Sequence, residues 1–505
     1  MTVTIQGLLQ GFSVACTGAN LLYGFLGCLL GTAVGVLPGL GPAATISLLL
    51  PAVYAMNAPA TSLIFLSGIF YGAMYGGSTT SILLKLPGEA ASVVTAIDGY
   101  EMAKKGRAGA ALAISAIGSF IAGTVGVIGL TFFGPPIAAF AVKFSSPEYF
   151  SLILLGLMLA VFMAGGDSPV RGCIMLFSGI LLAQVGIDPL SGILRFTYGS
   201  MQMMNGFDFV TIAMGMFGLS EILLTLEEEI NPQIISENVG KLWFTAKEWA
   251  DSRWAILRGS VIGFFAGIIP GGGAVVSSLV SYSVEKRLSK TPEEFGKGAI
   301  AGVAGPESAN NAASSSSFIP LLTLGIPCNA SIAMIYAALL IQGVTPGPLL
   351  LTRNPDVFWG VIASMYIGNI ILVILNLPLV SIWVKLLTVP FGILAPMIVI
   401  ITTVGSFSLQ NTMFNVYAFM AFGFLGYILR KLQFDPSPLL MAFILSPIME
   451  NSLRQSLMLS GGSFRIFFER PISATIMFIF FVVLAANIIS IIRKRLKAKN
   501  SIKMK

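Results

Sequence analysis

The chain has 505 residues, of which 55% are hydrophobic and only 10% charged, against about 25% charged in an ordinary soluble domain. Apolar runs close to a membrane span in length recur throughout, each able to cross a hydrocarbon core about 30 Å thick. This composition excludes a soluble enzyme or a nucleic-acid-binding protein and predicts an all-α, polytopic helical membrane protein. Histidine is absent, which removes Ser-His-Asp and Cys-His nucleophile systems, haem ligation by His and His-metal sites. Cys16, Cys28, Cys173 and Cys328 lie scattered in apolar segments and read as small buried hydrophobes, with no redox or zinc chemistry and no cofactor implied.

In chain order, the N-terminus carries no charged residue before Lys85. A cleaved signal peptide needs a basic start, so the first apolar run is expected to be a retained span. Runs near 14–36, 41–56, 61–84 and 108–142 follow, the last broken at Pro135-Pro136. With those up to 208–226 they form a first transmembrane half, residues 1–226. The longest polar stretch, 227–254, holds Glu227-Glu228-Glu229, Lys241, Lys247 and Arg253 and reads as a surface linker. A second transmembrane half spans 255–492 and a basic tail 493–505. Roughly 11 to 13 crossings plus re-entrant or broken helices are expected. Net charge is +7, and the seven basic residues from Arg493 to Lys505, with no acid among them, account for all of it. A basic tail behind an apolar run predicts a cytoplasmic C-terminus.

The two halves look related. Gly31-x3-Gly35-x2-Pro38-Gly39-x-Gly41 recurs as Gly263-x3-Gly267-x2-Pro270-Gly271-x-Gly273, every position displaced by 232. A weaker echo is Leu84-Lys85-Leu86-Pro87 against Leu324-Gly325-Ile326-Pro327. After the first motif, the turn 52–61 is uncharged and the next loop carries Lys85, Lys104, Lys105 and Arg107. After the second motif the order flips: Lys286, Arg287, Lys290 and Lys297 come first, and 342–356 holds only Arg353 and Asp356. If basic loops face the cytoplasm, corresponding loops lie on opposite sides, which predicts two inverted-topology repeats.

Pro-Gly breaks inside membrane segments free backbone groups that lipid cannot satisfy, so such backbone lies in protein or lines a watery cavity. Half-helix N-termini suit a carboxylate, and unwound carbonyls suit a cation such as Na⁺. The expected substrate site therefore takes backbone groups from Pro38, Gly39 and Gly41 and from Pro270, Gly271, Gly272 and Gly273. The competing reading is that Gly31, Gly35 and Gly39 only allow close helix packing. Polar clusters at 76–81 and 307–317 add side-chain ligands: Ser78, Thr79, Thr80, Asn310, Asn311 and Ser314 for substrate. Gly39, Ser78, Asn310, Asn311 and Thr323 are the Na⁺ candidates. Lys85 answers an anionic substrate or snorkels to the membrane edge. Glu307 is an ion or proton group, or pairs with a nearby Lys or Arg. Asp188, Arg195 and Asp208 are read as structural loop charges.

These motifs resemble the large membrane subunit of the tripartite tricarboxylate transporters. The matching strings include Gly35-Val-Leu-Pro-Gly-Leu-Gly41, Tyr75-Gly-Gly-Ser-Thr-Thr-Ser81, Pro87-Gly-Glu-Ala-Ala-Ser-Val-Val94, Gly186-Ile-Asp-Pro189 and Pro306-Glu-Ser-Ala-Asn-Asn311. The resemblance implies a smaller four-span membrane subunit and a periplasmic solute-binding protein as partners. It also implies uptake of a di- or tricarboxylate across a bacterial inner membrane on an ion gradient, typically Na⁺. No G-x-x-x-x-G-K-[ST] nucleotide loop occurs. Three departures fall in the inferred site: Lys85 where the family has Asn, Ser314 to Ser317 where Ala and Gly are expected, and Cys328-Asn329 where Gly-Ser is usual. The reading is thus a secondary importer working by alternating access with an elevator-like stroke, not an enzyme. A passive anion channel and a non-transporting scaffold subunit are its rivals.

Overall fold

The computed structural model describes residues 2–37, 41–164, 168–188, 190–227, 241–271, 273–386 and 391–503. Apart from one two-residue antiparallel ladder, its regular secondary structure is helical. Among the described residues, six helices are long and apolar enough to cross a membrane: Gly18–Val36, Ala108–Ala141, Phe209–Glu227, Pro355–Asn376, Met413–Lys431 and Pro471–Ile489. Shorter apolar helices accompany them. The chain is a multi-pass helical membrane protein.

The first half opens with α1 (Thr2–Ala15), α2 (Gly18–Val36), α3 (Pro42–Met56) and α4 (Pro59–Leu84). Thr17 caps α2 by accepting from Asn20 N. Pro42 and Pro59 open α3 and α4, where the missing N–H has no intrahelical partner to lose. A Cβ on Gly27, Gly31 or Gly35 would lie 2.3, 2.3 or 2.4 Å from the carbonyl oxygens of Phe65, Ile69 and Ala73. These three ascending contacts make α2 and α4 parallel. Thr61 Oγ1, donating to Asn20 Oδ1 at 2.6 Å, ties their starts together. α3 leads back to the start of α4, so α2 and α3 form a helical hairpin. The chain continues through a 3-10 turn at Ala90–Val93 to α5 (Thr95–Lys104) and the long α6 (Ala108–Ala141).

Next come α7 (Ser146–Ala164), α8 (Pro169–Ala183) and the ladder of β1 (Gly186–Ile187) with β2 (Leu194–Arg195), Gly186 opposite Arg195. Asp188 is held by Arg195 at 2.7 Å and Arg454 at 3.0 Å, and Arg454 also holds Glu450 at 2.6 Å. The Ser191 hydroxyl, reinforced by these two guanidinium groups and the Leu190 N–H, holds the Asp188 carboxyl well below the usual carboxylate range. Asp208 caps α9 (Phe209–Ala213), which runs through a π-helical stretch, Met214–Leu219, into α10 (Ser220–Glu227). The loop charges Asp188, Arg195 and Asp208 are structural.

The helices after the polar stretch make contacts like those of the opening. α11 (Ala246–Ile268) already begins inside the polar stretch, because Thr245 and Glu248 form a capping box there. α12 (Gly273–Leu288), α13 (Ala301–Ser316) and α14 (Phe318–Leu324) follow. A Cβ on Gly259, Gly263 or Gly267 would lie 2.3, 2.2 or 2.3 Å from the carbonyl oxygens of Gly305, Ala309 and Ala313. These are the α2–α4 contacts again. The glycines are displaced by 263 − 31 = 232 and their partners by 309 − 69 = 240, so the second half carries eight more residues in between. α11 and α12 form a second helical hairpin.

The hairpins enter from opposite ends. Arg107 pairs with Glu248 at 2.7 Å, which sets the start of α11 beside the first basic loop. Lys105 donates to the Lys297 carbonyl, and Asp98 accepts from the N–H groups of Gly296, Gly298 and Ala299. Both basic loops thus share one end. At the other end, Gln342 Nε2 donates to Val53 O at 2.6 Å, joining the uncharged turn after α3 to the far loop of the second half.

The rest of the second half contains α15 (Ala330–Ile341), α16 (Leu350–Arg353), α17 (Pro355–Asn376), α18 (Val380–Leu386), α19 (Phe391–Gln410) and α20 (Met413–Lys431). It closes with α21 (Ser437–Leu459), α22 (Ile466–Glu469) and α23 (Pro471–Lys503). α23 is tied to α7 through Ser151–Ser473 at 2.8 Å and Arg470–Glu148 at 2.6 Å. α4 and α13 are the centre of the molecule. Every residue from Ser62 to Leu84 and from Gly302 to Ser316 is buried.

Candidate functional site

Pro38, Gly39 and Gly272 lie outside the described residues. At the first tip, Gly41 caps α3 and its carbonyl accepts from Thr45 Oγ1. At the second, Gly271 has φ +80°, a left-handed conformation that favours glycine, and its N–H donates to Cys328 O at 2.7 Å. Gly273, φ +37°, starts α12, and the ring of Pro270 faces Gly156.

Each tip is touched by the turn that follows the long helix of its own half. Gly88 presses on Gly35, where a Cβ would lie 1.9 Å from its carbonyl oxygen. Cys328 meets Gly271 in the same way, and its Sγ lies 3.6 Å from Ile268 O. These turns begin at Lys85, φ +60°, and Gly325, φ +70°. The weak Leu-x-x-Pro echo is therefore a matched pair of left-handed helix ends.

The two polar clusters meet in the interior. Glu307, fully buried, accepts from Ser78 Oγ at 2.5 Å and from Thr95 Oγ1, with the Ser115 hydroxyl alongside. Asn310 Nδ2 donates to Glu89 Oε1 at 3.1 Å, while Asn310 Oδ1 is buried without a partner. Asn311 Nδ2 donates to Ser119 Oγ at 2.7 Å and to Glu307 O at 3.1 Å. Thr80 Oγ1 reaches the Gly35 carbonyl at 3.4 Å and so links the cluster to the first tip. Ser78 and Thr79 line a cavity of about 10 Å³ with Tyr75, Ser115 and Asn376, whose Oδ1 is also unpartnered. Such a space holds one water or one small ion.

Other expected ligands are engaged elsewhere. Ser314 Oγ donates to Asn310 O, and Ser315, Ser316 and Ser317 likewise donate to backbone carbonyls of their own helix. Thr323 Oγ1 donates to Ile319 O within its own helix. Lys85 is exposed and sits over the Tyr100 ring, 5.5 Å from its centroid.

Glu89 and Thr95 were not among the residues expected at the site, and Glu307 stood beside it as an undecided charge. Their signal was legible: Pro87-Gly-Glu89 sets a carboxylate in an otherwise apolar stretch, directly behind a helix end. Among the described residues, neither Glu89 nor Glu307 forms an ion pair with Lys or Arg. The candidate site consists of two buried carboxylates, hydroxyls and amides between the helices of the two hairpins. It has groups to hold a cation and none of the paired nucleophile and base that covalent catalysis requires.

Residues 21–441 match the Tripartite tricarboxylate transporter TctA family. A protein of Agrobacterium vitis, the "Uncharacterized 52.8 kDa protein in TAR-I ttuC' 3'region", is 50% identical over 473 residues, 94% of this chain and 94% of its own length. A second, the "Uncharacterized protein in TAR-II ttuC' 3'region" of the same organism, is 54% identical over 215 residues, 43% of this chain and 89% of its own length. No solved structure matches the chain. With its opposed hairpins and buried polar core, the chain belongs to the tripartite tricarboxylate transporter TctA family, a family of membrane transporter subunits and not of enzymes.

Proposed function

We propose that the chain is the large transmembrane subunit of a Na⁺-gradient-driven importer of di- and tricarboxylates in a bacterial inner membrane. A periplasmic solute-binding protein delivers the substrate, and a small four-span membrane subunit completes the complex. The observation that carries this reading is the buried pair Glu89 and Glu307 between two oppositely entering hairpins. An isolated ionised carboxylate is costly to bury, so in such a place it is neutralised by a proton or a bound cation. Ser78, Thr95 and the free Asn310 Oδ1 are oxygen ligands of the kind Na⁺ takes.

The matched glycine contacts and the reversed entry of the hairpins support two inverted-topology repeats, the architecture of many secondary transporters. The positive-inside bias sets the basic end, and the tail 493–505, in the cytoplasm. Alternating access then takes an elevator-like form, with the hairpins and the α4–α13 core moving against a scaffold that includes α7, α8, α21 and α23. The test is uptake of radiolabelled citrate and succinate into proteoliposomes holding this chain and its small partner, with binding protein outside and an inward Na⁺ gradient on or off. Uphill accumulation that needs both Na⁺ and binding protein is expected. Flux that only equilibrates and ignores both would replace the importer with a channel.

A further inference from the structure

A large open cavity lies away from the polar core. It has a volume of about 660 Å³ and lies at the end opposite the basic loops, between the end of α6, the turn after α14 and the 343–354 loop. That volume falls within the range of about 300–1,000 Å³ typical of small-molecule sites. Its lining contains Arg353 and no acidic residue. Arg353 is exposed and forms no ion pair among the described residues.

Hydroxyls and amides share the lining with Arg353. Ser145, Ser146, Ser452, Asn354 and Gln455 all line the cavity. Ser145 Oγ is buried and has no hydrogen-bond partner. Ser146 Oγ donates to Gln455 Oε1 at 2.7 Å, and the Gln455 NH₂ group has no protein acceptor among the described residues. Two long helices begin at the wall, α7 at Ser146 and α17 at Pro355, each with an acid in its first turn, Glu148 and Asp356. Glu148 pairs with Arg470 and accepts from the Ser145 N–H, and Asp356 accepts from Gln10.

Position adds the decisive point. Gly325 and Ile326 form part of the wall. Two residues further on, Cys328 O holds Gly271 N at the tip of the second hairpin. A single short turn therefore separates the cavity from the broken-helix core.

We propose that this cavity is the loading site for a di- or tricarboxylate. Arg353 takes one carboxylate in its planar fork, and the Ser145 hydroxyl and Gln455 amide donate to another. The Gly325–Cys328 turn is the barrier the substrate passes on its way to the core. This deepens the importer reading and rests on it for the direction of transport, but the binding site itself can be tested without transport.

In the full chain with Cys16→Ser, Thr345→Cys puts a thiol on the cavity wall at an exposed position. Citrate and succinate are expected to protect this thiol from an impermeant maleimide. Arg353→Ala should raise the half-protecting concentration by about tenfold or more, the weight of a charge-assisted hydrogen bond, while Arg353→Lys recovers part of the loss. Labelling that ignores both carboxylates overturns the site, and protection left unchanged by Arg353→Ala overturns the role given to the arginine. Protection found in a protein that shows no Na⁺-driven uptake supports the site while removing the importer reading, so the two fail separately.

Discussion

Glu307 is the residue on which the coupling chemistry turns. Its carboxylate is fully buried and satisfied by hydroxyls, not by a cationic side chain. Glu307→Gln keeps the volume and an acceptor oxygen for one of Ser78 and Thr95, turns an NH₂ group to the other hydroxyl, and cannot carry the charge that attracts a cation. The expected result is Na⁺-driven uptake reduced at least about tenfold with a melting temperature near that of the parent, since an amide is cheaper to bury than an ionised carboxylate. Glu307→Ala should also destabilise the protein, by about 1–3 kcal/mol for each hydroxyl left unpaired. Wild-type uptake with full Na⁺ dependence in Glu307→Gln would remove this residue from the coupling site. Sequence placed this glutamate next to the Asn310-Asn311 pair but left open whether it pairs with a base. That question is decided by residues from α4 and α5 far away in the chain, and no local pattern announces them.

At the scale of elements, the glycine ladders hold the hairpins in place. With a Cβ at Gly31 or Gly263 the added atom would come within 2.3 Å of Ile69 O or 2.2 Å of Ala309 O. Backbone, unlike a flexible side chain, gives way only by moving the whole helix. Gly31→Val and Gly263→Val should each lower stability by about 1–3 kcal/mol or more, the cost of overpacking a filled interior. Thermal unfolding in detergent reads this, and similar losses at the two positions are expected because the contacts match. Undiminished melting temperatures in both would mean that α2 and α11 do not pack as described. Of the two readings of the glycine motif, close packing is visible at Gly31 and Gly35, which meet the backbone of Ile69 and Ala73. Sequence periodicity showed two apolar runs interrupted at Pro-Gly. Whether the second run continues onward or reverses depends on what it packs against, and α3 is returned to its starting end by its contacts with α4 and α15.

For the whole molecule, the testable matter is its orientation in the membrane. Lys297→Cys sits at the basic end and Met201→Cys in the highly exposed loop after β2, which Asp188–Arg454 fixes beside the opposite end of α21. An impermeant maleimide applied to intact cells with a permeable outer membrane should label Met201→Cys. It should label Lys297→Cys only after the inner membrane is broken. The reverse pattern would turn the molecule over and place the Arg353 cavity on the cytoplasmic side. The orientation was drawn from charge counts in separate loops, and the structure gathers those loops at one end through Lys105–Lys297 and Arg107–Glu248.

The sequence by itself determined the class of the protein, the family its motifs resemble and the two Pro-Gly breaks. These follow from composition and short-range spacing, since a run of apolar residues or a proline acts on its own neighbourhood in any fold. Only the tertiary structure set Lys85 on the surface, gave the hydroxyls of Ser314 to Ser317 backbone carbonyls to bond, and brought Glu89 and Glu307 together with Ser78, Thr95 and Asn310. Those outcomes depend on which helix lies across from which. In a membrane chain, where lipid-facing and protein-facing surfaces are equally apolar, hydrophobic pattern carries little of that information.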